Sequence, residues 1–409
     1  MKILLVKPST QGYAVPPPEV PTGLLYLSAV LKESGHEVTV ADLEFEGLPD
    51  VSQFDVCGMT ILSKCRKSAF NLALRIKAQW PSVRLIAGGP HVSSCALQVI
   101  NNFPFDAVVS GEGENCVEKA LEVDGMVEEE FIRDIDELPI PDYDNVKLER
   151  YYMQIARTYP SITVNGIKIG DAKYAAMITS RGCVGRCTYC NAWKHWGLRL
   201  RIRNPILVAD EMELLNKKYG VSLISFNDNA FGGNKESVLA LCQEINRRQL
   251  KIAWKCDTRP DFIDEEMAVA MRSAGCFCIA VGLESGSPAI LAGIRKPVNL
   301  NEAREKLLGI KRAGIICYVL LMIGNPGETD GTIKETVQYV TDIRPHLMSW
   351  VQGVMILPNT YMNRLNGTDE DFWVNGDDLP FYLKEHTQEE LGGFAMQLQA
   401  IPRDPIPFN

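Results

Sequence analysis

The chain has 409 residues, enough for two or three domains with sizeable cores, so a disordered chain is not expected. Hydrophobic residues make up 46% and charged residues 23%, and glycine and proline are spread along the chain, which excludes collagen-like and low-complexity classes. The net charge of −9, with no basic run longer than two residues, argues against nucleic-acid binding.

No segment predicts insertion into a membrane. The longest apolar run, Ile315–Ile323, has nine residues, whereas a membrane-spanning helix needs about 20. The apolar stretch from Ile3 to Val6 is too short for a signal peptide. We therefore expect a cytoplasmic protein whose twelve cysteines are reduced, buried or bound to metal rather than paired in disulfides.

Short apolar runs alternate with helical patterns from the start of the chain. This alternation predicts an α/β domain over residues 1–125, a Rossmann-like, doubly wound parallel sheet that binds ligands at the carboxyl ends of its strands. The predicted strands are Lys2–Val6, Glu37–Ala41, Asp55–Ile61, Arg84–Ala87 and Ala107–Val109. The predicted helices are Gly23–Ser34, Cys65–Gln79, Ala96–Asn102 and Glu114–Glu122.

A second alternating series follows an acidic, turn-rich linker predicted at residues 126–172. Its six units predict a partial (β/α)6 barrel over residues 173–360, with the active site at the strand ends, followed by a short C-terminal extension at 361–409. The predicted strands are Tyr174–Thr179, Ser222–Phe226, Ile252–Cys256, Phe277–Leu283, Ile315–Ile323 and Trp350–Leu357. The predicted helices are Pro205–Lys218, Lys235–Arg248, Asp264–Ser273, Asn301–Ala313 and Gly331–Ile343.

Three cysteines follow the first strand of the second series directly. Cys183, Cys187 and Cys190 are separated by three and two residues, on the loop where a barrel places its active site. Zinc would need a fourth ligand, for which His195 is available. Three thiolates can instead hold three irons of a 4Fe-4S cluster and leave the fourth iron open to a substrate or cofactor.

The pattern Cys-x3-Cys-x-Tyr-Cys resembles the cluster loop of the radical S-adenosylmethionine (SAM) enzymes. In that family the open iron binds SAM, and one-electron reduction yields a 5′-deoxyadenosyl radical. The resemblance therefore implies a 4Fe-4S cluster held by the three cysteines, with SAM as a second cofactor. It extends over about residues 174–360 and implies SAM contacts by Tyr189, Asp228, Glu284, Ser285, Gly324, Asn325 and Leu357.

Each of these strand-end motifs also has a structural interpretation. Asp228, implied to lie near the SAM amino group, could be a structural cap. Glu284, implied to bind the ribose hydroxyls, could be a surface residue or a helix cap. The segment Gly324–Thr329, implied to lie near the adenine, could be a tight turn before a helix. Their joint placement at successive strand ends favours the SAM interpretation.

The first domain resembles the cobalamin-binding domain that is fused to many radical SAM enzymes. Its glycines would let backbone amides approach the cobalamin nucleotide, although a plain doubly wound domain without cofactor is an alternative. No histidine follows an aspartate by two residues, so the motif Asp-x-His-x-x-Gly, which ligates cobalt, is absent. The implied cobalamin contacts are Ser9, Tyr13, Val15, Thr60, Ser63, Gly88, Gly89, His91, Gly111, Glu112 and Gly113.

Two of these contacts carry a more specific prediction. His91 is expected to contact the cobalamin tail or backbone rather than the cobalt. The loop Gln11–Pro18, with Tyr13 and Val15, is the candidate cover for the lower face of the cofactor.

Together the resemblances imply a cobalamin-dependent radical SAM methyltransferase that acts on an unactivated carbon, through a 5′-deoxyadenosyl radical and methylcobalamin, under anaerobic conditions. The architecture is similar to that of the glutamine C-methyltransferase of methyl-coenzyme M reductase, so the acceptor is expected to be a protein side chain or a small molecule. A one-electron reductant such as flavodoxin or ferredoxin is the implied partner. The alternatives are ring formation or rearrangement without methylation, and a cobalamin carrier with a vestigial barrel.

Overall fold

The computed structural model describes residues 1–10, 19–128, 131–376 and 379–408. Two six-stranded parallel sheets dominate the fold. The strands are β1 Lys2–Lys7, β2 Glu37–Asp42, β3 Val56–Thr60, β4 Arg84–Gly88, β5 Ala107–Ser110, β6 Gly125–Glu128, β7 Thr163–Val164, β8 Ile167–Lys168, β9 Lys173–Met177, β10 Ser180–Arg181, β11 Arg201–Ile202, β12 Val221–Phe226, β13 Ala253–Thr258, β14 Cys276–Glu284, β15 Ile316–Ile323, β16 Leu347–Gln352, β17 Val354–Met355 and β18 Phe381–Tyr382.

Helices connect these strands throughout both series. They are α1 Thr22–Glu33, α2 Arg66–Gln79, α3 Pro90–Asn102, α4 Val117–Ala120, α5 Gln154–Thr158, α6 Ala192–Trp196, α7 Pro205–Tyr219, α8 Lys235–Arg247, α9 Glu265–Ser273, α10 Pro288–Gly293, α11 Leu300–Arg312, α12 Asp330–Ile343, α13 Tyr361–Asn366, α14 Phe372–Asn375 and α15 Gln388–Gln399.

The first sheet has the strand order β2-β1-β3-β4-β5-β6, and every pairing in it is parallel. The order 2-1-3-4-5 is that of flavodoxin-like folds, in which ligands bind where the order reverses, between β1 and β3. The interior strand β1 is largely buried because both of its faces are covered. The predicted doubly wound domain is therefore confirmed.

The sixth strand of this sheet is absent from the prediction, which placed residue 126 at the start of the linker. Residues Gly125–Glu128 pair in parallel with Ala107–Ser110 and continue the sheet. Only Val127 of these four residues is buried, so the strand lacks the apolar run that marks the other five. This segment forms a strand because it pairs with β5 at the edge of the sheet, and its composition alone does not predict one.

The second sheet places its strands in the order β16-β15-β14-β13-β12-β9, so sequence neighbours are also neighbours in space. All five pairings are parallel, and a helix follows each of the strands from β12 to β15. Repetition of this unit curves the sheet into a partial barrel whose functional loops lie at the strand ends. This confirms the predicted fold class.

The last barrel strand lies earlier in the chain than predicted. The prediction places it at Trp350–Leu357, whereas β16 covers Leu347–Gln352. Gly353 interrupts the apolar run with a φ of 80°, a conformation that favours glycine. Leu357 consequently follows the short strand β17 and does not end a strand of the barrel sheet.

The chain divides into two compact units. Unit 1 comprises residues 1–151, 190–197 and 357–380, and unit 2 comprises 152–189, 198–356 and 381–409. The first sheet lies in unit 1 and the barrel sheet in unit 2. Part of the predicted C-terminal extension thus belongs to each unit. In the described residues, none of the helices is long and apolar enough to cross a bilayer.

Candidate functional site

The three cysteines of the motif differ from the other nine in exposure. Cys183, Cys187 and Cys190 are partly exposed on the loop between β10 and α6, whereas the nine others are all buried. Burial raises the pKa of thiols such as Cys57 and Cys242 to about 12, which keeps them protonated. Of the twelve cysteines, all of which lie in the described residues, only the three of the motif therefore present accessible thiols, as a cluster site requires.

The surroundings of these thiols suit a bound iron–sulfur cluster. The backbone N–H of Gly185 donates to Cys183 Sγ at 3.4 Å, and that of Ala192 donates to Cys190 Sγ at 3.5 Å. Burial opposes the charge of Arg259, but Asp261 and the nearby thiols of the loop outweigh it and raise the arginine pKa. Hydrogen bonds to sulfur and a neighbouring cation both stabilise thiolates and clusters.

The zinc alternative depends on a fourth ligand besides the three cysteines. His195, its proposed fourth ligand, shares a hydrogen bond between Nδ1 and Ser93 Oγ at 2.9 Å. The donor set is instead three accessible thiols on one loop, which fits the three-cysteine cluster of the radical SAM family.

Glu284 is the last residue of β14, and its carboxylate accepts two hydrogen bonds that were not predicted from the sequence. Lys296 Nζ donates to Glu284 Oε1 at 2.7 Å, and Tyr189 Oη donates to the same oxygen at 3.1 Å. Tyr189 lies next to Cys190, so the hydroxyl-binding candidate is tied to the cluster loop. The sequence analysis missed Lys296. Its only sequence signal is the basic pair Arg295-Lys296 that follows the apolar stretch Ala289–Ile294.

Ser285, the next residue, has a packing role. Its hydroxyl is fully buried and lies 3.0 Å from Thr336 Oγ1 on α12. Gly286 allows this close approach, because a Cβ there would lie 2.8 Å from Thr336 Cα. The motif thus separates into Glu284, which is partly accessible, and a Ser-Gly pair that anchors the strand end to α12. SAM contact by Ser285 stays a prediction.

Asp228 is a buried acceptor that fastens two strand ends together. Its carboxylate accepts the backbone N–H of Thr179 at 2.7 Å, the Thr179 hydroxyl, and the Ser180 hydroxyl at 2.8 Å. Burial raises the pKa of Asp228 despite these bonds. Asp228 therefore has a structural role between the two strand ends, and its contact with SAM remains a prediction.

Gly324 and Asn325 form a buried turn at the end of β15. Their backbone N–H groups donate to Glu328 Oε2 at 2.5 and 3.0 Å, and Asn325 Nδ2 donates to the Met322 carbonyl at 3.0 Å. Asn325 Oδ1 is buried and, within the described residues, accepts no hydrogen bond. A ligand N–H group could therefore bind to this oxygen, which agrees with the implied adenine contact.

Three cobalamin candidates lie in tight backbone approaches at the strand ends of unit 1. Gly89 has a φ of 96°, and a Cβ there would lie 2.7 Å from Thr60 Oγ1 and 3.0 Å from the Ile61 nitrogen. The Gly88 carbonyl accepts the Ile61 N–H at 2.8 Å. The loops after β3 and β4 therefore meet at the carboxyl ends of their strands, and the loop after β3 borders the reversal of strand order between β1 and β3.

The loop after β5 carries the next three candidates. Gly111 has a φ of 89°, and its N–H donates to Ser93 Oγ at 3.0 Å. Glu112 is buried and accepts the Ile132 N–H at 2.9 Å. A Cβ on Gly113 would lie 3.0 Å from Leu27.

The remaining cobalamin candidates follow β1. The hydroxyl of Ser9 donates to Glu44 Oε2 at 3.3 Å. Tyr13 and Val15, like the whole lower-face loop 11–18, lie outside the described residues.

His91 is completely buried beneath this edge. Its Nδ1 lies 3.1 Å from Ser63 Oγ, and its ring packs at 5.9 Å from Phe70 and 6.4 Å from Trp373 between centroids. Burial, reinforced by Arg66, lowers the pKa of His91 to about 3, so the imidazole is neutral. The ring has a packing role here, and its contact with cobalamin stays a prediction.

The buried His91 predicts a specific pH dependence of stability. Because its folded-state pKa lies below its ordinary value, the unfolded chain binds the proton first as the pH falls, and stability present above about pH 6.5 is lost. On lowering the pH from 7 to 5, this histidine should reduce the free energy of unfolding by about 2 kcal/mol. His91→Gln should remove that increment in urea unfolding at both pH values; an unchanged difference would contradict the buried neutral ring.

Two family models match the chain. Residues 177–340 match the radical SAM superfamily and residues 14–121 match the B12 binding domain. With the three accessible cysteines, the Glu284 strand end and the glycine-lined edge of the first sheet, these matches establish the class. The chain combines a radical SAM domain with a B12 binding domain, and these domains imply a 4Fe-4S cluster, SAM and cobalamin as cofactors.

Two curated relatives extend over most of the chain. An uncharacterised methyltransferase of Pyrococcus horikoshii is 28% identical over 83% of this chain and 77% of its own length. The anaerobic magnesium-protoporphyrin IX monomethyl ester cyclase of Rubrivivax gelatinosus is 25% identical over 86% of this chain and 67% of its own. The family relatives thus include both methyltransferases and cyclases.

The same two-part fold occurs in a solved structure. The radical SAM methyltransferase TsrM from Kitasatospora setae, with cobalamin and a 4Fe-4S cluster bound, has a TM-score of 0.70. The match is 20% identical and covers 89% of this chain and 77% of that one. This likeness is one of fold.

Proposed function

We propose that the protein is a C-methyltransferase that transfers a methyl group to an unactivated carbon of its substrate. The observation that carries the proposal is the combination, in one chain, of a B12-binding domain with a radical SAM domain whose three cysteines alone are accessible. When bound, the cluster and SAM supply a hydrogen-abstracting radical and cobalamin supplies the methyl group.

Residues of this chain have separate roles in the proposal. Cys183, Cys187 and Cys190 would hold the cluster, and Glu284 would bind SAM through its ribose. The glycine-lined loops after β3 and β4 would receive cobalamin at the edge of the first sheet. We infer that a one-electron reductant such as flavodoxin or ferredoxin serves the enzyme in an anaerobic cytoplasm.

The inner face of the barrel sheet supports a polar acceptor. Cys256 neighbours Cys242 of α8, so it faces the helices, and the alternation of strand side chains turns Lys255 and Asp257 to the opposite face. Lys255 Nζ donates to Asp257 Oδ1 at 2.8 Å. Asp257 lies opposite Ala280 on β14, and Ala280 lies opposite Tyr318 on β15. Because residues opposite each other in a sheet point to the same face, Tyr318 lies on the face of Lys255 and Asp257.

A face with an ion pair and a phenol suits an amide, amino acid or other polar molecule better than a lipid. A glutamine or another side chain of a protein such as methyl-coenzyme M reductase is one acceptor of this kind, and a polar small molecule is the other. Incubation of candidate peptides and small molecules with methyl-labelled SAM tests both: a mass gain in a peptide supports the protein acceptor, and a gain confined to small molecules contradicts it.

Ring formation without methylation is the second candidate, favoured by the similarity to the cyclase of Rubrivivax gelatinosus over most of the chain. The two functions differ in their SAM products. Methyl transfer should yield both 5′-deoxyadenosine and S-adenosylhomocysteine from the reconstituted, reduced enzyme with its substrate. Deoxyadenosine without S-adenosylhomocysteine would contradict the methyltransferase proposal and support the second function.

A further inference from the structure

Two donors hold the carboxylate of Glu284 by a single oxygen. Lys296 Nζ and Tyr189 Oη donate to Oε1 at 2.7 and 3.1 Å. The side chains of Lys296 and Glu284 are only 6% and 13% exposed. Within the described chain Oε2 accepts no hydrogen bond, so its lone pairs are available to a ligand donor.

The backbone enforces this orientation. A Cβ on Gly282 would lie 2.8 Å from Glu284 Oε1 and 3.1 Å from Lys296 Nζ, so glycine leaves the room that the ion pair occupies. Glu284 itself has a φ of 67°, which is uncommon for a residue with a side chain. Such strained conformations persist where the surrounding structure holds them, and they concentrate at functional sites.

The segment that carries Lys296 also supports the cluster loop. The carbonyl of Ile294 accepts the N–H of Thr188 at 3.0 Å. The ring of Tyr189 packs against the buried side chains of Leu291, Ile294 and Met322. Lys296 is thus placed by the same contacts that fix Tyr189, and both donors approach Oε1 from a common, packed base.

An ion pair with a purely structural role would be expected to satisfy both carboxylate oxygens, because a nearly buried carboxylate with a free oxygen is costly. Here both donors use one oxygen, and in the described chain the other accepts no hydrogen bond. A ligand with a hydroxyl group completes this arrangement better than a further protein contact, since a neutral hydroxyl adds a donor without adding charge.

We propose that Lys296 is a positioning residue: together with Tyr189 it fixes Oε1 of Glu284, so that Oε2 accepts a hydrogen bond from a ribose hydroxyl of SAM. The inference rests on the proposed function, because that function supplies SAM as the ligand. Lys296 then sets how strongly the protein distinguishes a ribose from a deoxyribose, without touching the nucleoside itself.

The test measures equilibrium binding of three probes to the cluster-reconstituted full chain: S-adenosylhomocysteine, its 2′-deoxy analogue and its 3′-deoxy analogue. The unmodified protein should prefer S-adenosylhomocysteine to at least one deoxy analogue by about tenfold, the effect of a hydrogen bond to a charged group. Lys296→Met should weaken S-adenosylhomocysteine binding about tenfold and bind all three probes alike. Lys296→Arg, which keeps the charge, should restore part of the preference.

Lys311 provides a matched control in the same unit. Its Nζ lies 2.7 Å from Asp404 with 14% of the side chain exposed, so Lys311→Met removes a comparable ion pair and should leave the preference intact. If Lys296→Met does not fold, Gly282→Ala displaces the carboxylate while keeping the lysine, and the same loss of preference is expected.

Two results would overturn the inference while sparing the proposed function. One is weaker binding of all three probes by Lys296→Met with the original preference retained, which would show a structural role only. The other is a protein that binds all three probes equally well before any substitution. Failure of the unmodified protein to bind any probe would instead contradict the proposed function itself.

Discussion

Cys183→Ala should remove the iron–sulfur cluster and abolish SAM cleavage. With one of three thiolates lost, the remaining two cannot hold a cluster with an open iron, and iron content should fall from about four per chain to near zero. Formation of 5′-deoxyadenosine under reducing conditions should fall at least about 100-fold, beyond the losses typical of changes around a metal ligand. Iron analysis and chromatography of the SAM products measure both effects.

Cys242→Ala is the matched control for this experiment. Cys242 is buried in α8 and its pKa is raised to about 12 by burial, so it is not available as a ligand. This variant should retain iron and deoxyadenosine formation and lose only the packing of one sulfur. Cleavage of SAM that survives in Cys183→Ala, with Cys242→Ala equally active, would contradict the assignment of the cluster loop.

Gly89→Ala should destabilise unit 1 and release cobalamin. A Cβ at this position would meet Thr60 Oγ1 at 2.7 Å and the backbone of Ile61 at 3.0 Å, and the φ of 96° with a ψ of 179° belongs to a region that is essentially restricted to glycine. Strain and overpacking together should cost about 3 kcal/mol of unfolding free energy. Because the two loops that meet here border the predicted cobalamin edge, cofactor retention after desalting should fall with stability.

Gly35→Ala separates the two causes. Gly35 has a φ of 88°, close to that of Gly89, but a Cβ there would have no heavy atom within 4 Å. This variant should lose only about 1 kcal/mol and retain cobalamin. Equal losses in the two variants, in urea unfolding followed by circular dichroism, would contradict the close approach at Gly89.

The sequence predicted the two sheets because their signals are local. Buried parallel strands are continuous apolar runs, such as Leu4 to Val6 and Val319 to Ile323, and amphipathic helices separate them. The strand β6 and the true bounds of β16 escaped prediction for different reasons. The first is an edge strand with one buried residue, and the second ends where Gly353 turns the chain inside a longer apolar stretch.

The candidate site likewise has a part that local sequence patterns predict and a part that depends on contacts between distant residues. The cysteine triad is a local pattern on one loop, so its spacing was sufficient to find it. Lys296 lies twelve residues beyond Glu284, and Arg66 donates to the carbonyl of Gly376, more than 300 residues away. Contacts of this kind depend on tertiary packing, which no local pattern records. Asp228 is the opposite case. The motif located it correctly at a strand end, but its hydrogen bonds to Thr179 and Ser180 could not be predicted from the sequence.

The most direct test of the account is the cofactor content of one sample. The full chain is purified without oxygen, reconstituted with iron and sulfide, mixed with hydroxocobalamin and desalted, and its iron content and absorption spectrum are recorded. The account predicts about four irons per chain together with a retained cobalamin whose spectrum shows no nitrogen ligand on the lower face. A full complement of iron without retained cobalamin would contradict the methyltransferase proposal, and neither cofactor would contradict the site as a whole.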